Sequence, residues 1–130
     1  MSGPRRRRNA VLQAIELLRR LHPAINISQV RAFLYICENE GLSVSELAEL
    51  LAMTRATGSR VVHSIGGDLP GTSAGRLMLV DIAPSERGEP LKSIRLTAAG
   101  RRIRDRIDAI IAQADAIAPS MEFDMAGTAS

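Results

Sequence analysis

The chain has 130 residues, of which 45% are hydrophobic and 24% charged, with two Phe, one Tyr and no Trp, so one domain with an aliphatic core is favoured and packed helices suit it better than a sandwich or barrel. The net charge is +3, from 17 Lys+Arg against 14 Asp+Glu, and 16 of the 17 bases are Arg, the side chain that meets phosphate and guanine edges with several donors at once. One cysteine, Cys37, excludes an internal disulfide and a CxxC metal site, and the scarcity of aromatic platforms argues against single-strand or RNA binding by stacking.

The excess charge is uneven: nine bases face five acids in residues 1–65, and eight face seven in residues 66–118. Residues 1–9 read as a basic arm whose Arg5, Arg6, Arg7 and Arg8 could lie on phosphates. Helical spacing of Val11, Leu12, Ile15, Leu18 and Leu21, with Leu17 off the stripe, predicts a helix over 6–21 that Pro23 stops. A second helix is expected over 28–39, capped by Ser28, with Val30, Phe33, Leu34 and Cys37 buried and Gly41 following as a stop.

The next stretch is GLSVSELAELLAM. Ser43 and Glu46 stand three apart as a capping box, and Leu47, Ala48 and Leu51 face inward. Thr54 then caps a fourth helix that runs to about Ser64 and holds Arg55, Thr57, Ser59, Arg60 and His63 with no carboxylate. Two short helices with a tight connection, the second free of acids, form the pattern of a helix-turn-helix. A helix that lies among phosphates in the major groove is expected to lose its acids, and its bases and small polar side chains can reach base edges. Gly58 costs about 1 kcal/mol against Ala in a helix interior. Close packing on the preceding helix or close approach to DNA could offset that cost, and packing is the preferred reading.

GGDLPGTSAG follows as a glycine-rich connection without the GxxxxGK[ST] signature of a phosphate loop. RLMLVDIA and LKSIRLT then read as two strands around the polar turn APSERGEP, with Leu77, Leu79, Val80, Leu91, Ile94 and Leu96 apolar. A hairpin after a helix-turn-helix is a wing, and Arg87 at its tip could enter the minor groove, where negative potential attracts arginine. Thr97 caps the last helix, in which Ile103, Ile107, Ile110, Ala114 and Ile117 are spaced as a heptad seam. A helix of about twenty residues spans roughly 30 Å, more than one small domain covers, so the seam is expected to pack on a second copy. The fold class expected is therefore mainly α with a small β-hairpin: a winged helix-turn-helix over 10–118, long terminal helices for dimerisation, and a frayed tail over 119–130.

The order of elements resembles that of the MarR family of winged-helix transcription regulators. The residues that carry the resemblance are LSVSELAELLAMTRATGSRVVHSI, LMLVDI and above all IRLTAAGRRI. In that family a hydrophobic-x-Leu-Thr-x-x-Gly sequence joins wing to last helix, and here it stands as Ile94, Arg95, Leu96, Thr97, Ala98, Ala99 and Gly100. The resemblance spans Ile27 to Ile117. It implies dimers on pseudo-palindromic DNA and, in many members, control by small phenolic or lipophilic effectors, although no residue here names one. The family's wing usually carries Asp-x-Arg, whereas this chain has Ser85, Glu86 and Arg87, and the loop from Gly66 to Gly75 replaces a short helix end and a Gly-Leu-Val run.

The leading expectation is a homodimeric regulator of double-stranded DNA, a repressor, with no cofactor, metal or catalytic residue. The alternatives are a non-sequence-specific architectural or partitioning protein and a winged-helix module that holds another protein. An enzyme is disfavoured because His22 and His63 stand apart in sequence and no nucleophile, metal or paired-acid spacing accompanies them. MSGPRRRRNA lacks the apolar core of a signal peptide and no apolar run reaches spanning length, so a cytoplasmic, nucleoid-associated protein is expected.

Overall fold

The computed structural model describes residues 3–66, 77–84 and 92–113. These residues form α1 (Gly3–Leu21), α2 (Ile27–Glu38), α3 (Val44–Leu51), α4 (Arg55–Ile65), β1 (Val80–Pro84), β2 (Lys92–Leu96) and α5 (Ala98–Gln113). The strands pair antiparallel in a two-stranded sheet, with Val80 opposite Leu96 and Ile82 opposite Ile94. This is the helical chain with one hairpin that the periodicities predict. It divides into two compact units, Ala24–Arg104 and Met1–Pro23 with Asp105–Ser130.

In the first unit, side-chain caps decide where helices start. Asn26, not Ser28, caps α2: its side chain accepts from the Gln29 amide, and the Gln29 side chain accepts from the Asn26 amide. Ser43 and Glu46 make the same reciprocal pair at α3, as expected. Ala52 ends α3 in the left-handed region at φ 59°, and Thr54 caps α4 by accepting from the Thr57 amide.

The core of this unit joins Ala32, Phe33 and Ile36 of α2 to Leu47, Ala48 and Leu51 of α3 and to Val62 and Ile65 of α4. Leu79, Val80, Ile94 and Leu96 complete it from the hairpin. The expected stripe on α2 is therefore corrected. Phe33 is buried, but Leu34 is exposed, and Val30 and Cys37 are only half-buried. The buried face of α2 is Ala32, Phe33 and Ile36.

The base of the hairpin is stitched to the helices. Ile94 donates its amide to Leu42 O, and Gly41 donates its own to Ile94 O, each at 2.8 Å, so the α2–α3 loop pairs with the free edge of β2. Two residues further along β2, the Glu40 carboxylate replaces a backbone acceptor: Oε2 accepts from the Leu96 amide at 2.8 Å and from Arg101 Nη2 at 2.9 Å. On the other side Leu79 donates to Ile65 O at 2.7 Å, tying β1 to the end of α4.

The motif LTAAG now has a physical reading. Leu96 is buried. Thr97 donates its amide to Leu79 O and its hydroxyl to Met78 O, while its Oγ1 accepts from the Gly100 amide and caps α5. Gly100 lies so close to the Leu79 carbonyl oxygen that a Cβ there would overlap it.

In the second unit, α1 starts at Gly3, so Arg5 to Arg8 lie in its first turns. Pro4 is tolerated in a first turn, and no breaker separates the arginines, which are good helix formers, from Ala10. Leu17 and Leu18 are buried, as is Ala10. Leu17, read as off the stripe, thus belongs to the core. Val11, Leu12 and Ile15, the expected apolar stripe, are 60%, 47% and 41% exposed, and Leu21 is exposed too.

Candidate nucleic-acid interface

The candidate surface is built on the crossing of α3 and α4. Gly58 is buried, and a Cβ on it would stand 2.7 Å from Ala48 Cβ and 3.2 Å from Ala48 Cα. Close packing therefore accounts for the glycine, as preferred from the sequence. Arg31, on α2, donates from Nη2 to Leu51 O at 3.1 Å and so satisfies a carbonyl at the end of α3. Gln29 donates to Ser64 Oγ at 3.0 Å, and that hydroxyl donates to Val61 O at 2.6 Å, which ties the start of α2 to the end of α4. The Gly58 crossing and the Gln29–Ser64 bond hold α4 by its buried side and leave its other side to solvent.

That outer side gathers most of the residues singled out in the sequence. Arg55 and Arg60 are exposed, and Thr57, Ser59 and His63 are half-buried. Arg55 Nε donates to Ser45 Oγ of α3 at 2.8 Å. Thr54 Oγ1 donates to Thr57 Oγ1 at 3.0 Å, and Arg60 Nη2 reaches Thr57 Oγ1 only at 3.5 Å, a weak bond that leaves the guanidinium free to swing. His63 Nδ1 lies 2.8 Å from Ser59 O and 3.3 Å from Ser59 Oγ. A carbonyl can only accept, so this geometry selects the Nδ1–H form of the ring.

Helix α4 has no acid in its first turn or anywhere along its length, and Arg55 stands at its amino end, where the helix dipole favours anions. Ser45 was missed in the sequence. A serine two residues beyond the cap Ser43 looks like any helix-surface serine until α4 is laid across α3.

The remaining candidates fall elsewhere. Arg87, the loop 67–76, Ala114 and Ile117 lie outside the described residues. Ile103 and Ile107, expected on a dimer seam, are each only 6% exposed within the single chain. Ile110 is half-buried and, with Gln13, Arg106, Ala109 and Gln113, lines an open cleft of about 290 Å³. Ile111, not singled out, is 59% exposed. Among the described residues no group of three or more His, Cys, Asp or Glu is placed to hold a metal, and no helix is long and apolar enough to cross a membrane.

No family profile and no curated protein matches this chain. Solved structures do. RV1404 from Mycobacterium tuberculosis superposes with a TM-score of 0.60 at 19% identity, over 78% of this chain and 63% of that one. MepR of Staphylococcus aureus in complex with DNA superposes with a TM-score of 0.57 at 19% identity, over 78% of this chain and 76% of that one. MarR from E. coli superposes with a TM-score of 0.52 at 16% identity, over 80% of this chain and 72% of that one.

The fold is that of a MarR-like winged helix. Within a MarR-like winged helix, α3 and α4 are the helix-turn-helix and β1 and β2 the wing. The chain spans under two thirds of the RV1404 structure, and what it shares with these proteins at such low identity is their architecture.

Proposed function

We propose that this chain is a homodimeric transcription regulator, acting as a repressor, that reads double-stranded DNA with α4 in the major groove and its wing at the adjacent minor groove. The observation that carries the reading is α4 itself: an exposed, acid-free face bearing Arg55 and Arg60, held by a crossing too close for even a methyl group at Gly58. Thr57, Ser59 and His63 would supply shorter polar contacts, and Arg87 the wing contact. Two relatives in fold support it, since MepR is seen with DNA and CouR is bound to a 23-mer duplex.

The dimer is supported by an uncovered apolar face. Ile15 stands three and four residues from Leu12 and Val11 on α1, and all three stay exposed, as does Ile111 on α5. The expected seam is revised accordingly: Ile103 and Ile107 serve the chain's own core, while the second copy meets α1 and the end of α5 with Ile110, Ala114 and Ile117. Two recognition helices would then read half-sites about one helical turn, roughly 34 Å, apart.

Selection of bound duplexes from a random pool by the purified protein, near physiological salt, tests the proposal. An enriched inverted repeat supports it. Binding without enrichment points to an architectural protein, and no binding by folded protein points to a module that holds another protein.

A further inference from the structure

We infer that Arg55 is a phosphate contact rather than a base reader, and that Ser45 is the residue that positions it; the inference rests on the DNA-binding reading above. Arg55 and Ser45 come from different helices, are both exposed, and are joined by an Nε–H···Oγ bond of 2.8 Å. Three consequences follow from that bond.

The guanidinium is drawn towards α3, the helix that crosses the DNA backbone in this class of motif, and away from the groove-facing side of α4. The Ser45 oxygen accepts from Nε, which fixes the guanidinium and leaves its Nη groups as the outward donors. Held in that way, the Nη edge of the guanidinium is presented beside α3 and can take the oxygens of a phosphate. That position, at the amino end of α4 where the helix dipole favours anions, suits a phosphate better than a base edge deeper in the groove. Glu46, the acid nearest in sequence to Ser45, turns Oε1 back onto the Ser43 amide at 2.9 Å. Arg60, by contrast, has only the 3.5 Å contact to Thr57 and keeps its fork available for a base.

The test uses the full-length protein and the duplex selected above, with affinities measured at several salt concentrations. Arg55→Ala is expected to weaken binding about tenfold on selected and random duplex alike, and to lower the slope of log K against log salt by about one. Ser45→Ala is expected to reproduce part of that loss, to add nothing in the Arg55→Ala background, and to be rescued by Ser45→Thr, which restores the hydroxyl. A changed preference at one base position in Arg55→Ala overturns the phosphate assignment. Additive losses in the double variant overturn the positioning role. Folded parent protein that binds no duplex removes the DNA-binding reading itself and this inference with it, whereas a parent that binds normally confines any failure to the roles of Arg55 and Ser45.

Discussion

Replacing Gly58 by alanine sets two known effects against each other. Helix propensity alone favours the change by about 1 kcal/mol. The added Cβ would stand 2.7 Å from Ala48 Cβ and 3.2 Å from Ala48 Cα, whereas carbon atoms in comfortable contact lie about 3.5–4.0 Å apart. The two helices must therefore open by roughly 1 Å, and the obstacle is a Cβ fixed to a helix, not the free end of a long side chain. Overpacking of this kind costs about 3 kcal/mol at the upper end of its usual range, for a net loss of about 2 kcal/mol.

The reciprocal change, Ala48→Gly, loses about 1 kcal/mol of propensity and about 0.8 kcal/mol for a buried methyl group. In the double variant the methyl has changed sides and the propensities cancel. Stability should return to within about 1 kcal/mol of the parent, although independent effects would sum to a loss of about 4 kcal/mol. Urea unfolding followed by helical circular dichroism, at one fixed protein concentration, measures all four corners of the cycle. A stabilised Gly58→Ala protein, or a double variant as unstable as the sum, would refute the claim that the α3–α4 crossing requires this glycine.

Three further outcomes are expected. Gly100→Ala places a Cβ against the Leu79 carbonyl oxygen, which also accepts from the Thr97 amide and cannot retreat without breaking that bond; a loss of about 2–4 kcal/mol in the same urea assay is expected. Glu40→Ala removes the acceptor of both the Leu96 amide and Arg101, and should cost about 1–2 kcal/mol, while Glu40→Gln, which can still accept from Leu96, should cost less than half as much. Ser93, on β2, buries its hydroxyl with no hydrogen-bond partner among the described residues, so Ser93→Ala should leave the midpoint unchanged or raise stability by up to about 1 kcal/mol; a clear loss would reveal a partner for that oxygen.

Features that depend on neighbours a few residues apart were legible from the amino-acid order. The caps at Ser43, Thr54 and Thr97 need only a side-chain oxygen and an amide within one turn. The inward stripe Leu47, Ala48 and Leu51, the acid-free α4 and the two strands around a polar turn are equally local patterns. The error at the start of α2 was a choice between neighbours, because Asn26 and Ser28 can both cap and only the box with Gln29 distinguishes them.

Which apolar face becomes core was decided by tertiary packing. Helix α1 carries apolar residues around much of its circumference, and periodicity ranks Val11, Leu12 and Ile15 above Leu17, yet Leu17 is buried and those three stay exposed. On α2 the small Ala32 with Phe33 and Ile36 faces inward in place of Leu34 and Cys37, because burial follows the closeness of α3 and α4 and not side-chain size alone. The same holds at the candidate interface. The sequence alone determined that one helix would offer bases without acids. Only the crossing of α3 over α4 brought Ser45 against Arg55, ten residues away, because a hydrogen bond between two helices depends on how closely their axes pass, and that distance is set here by Gly58 and Ala48.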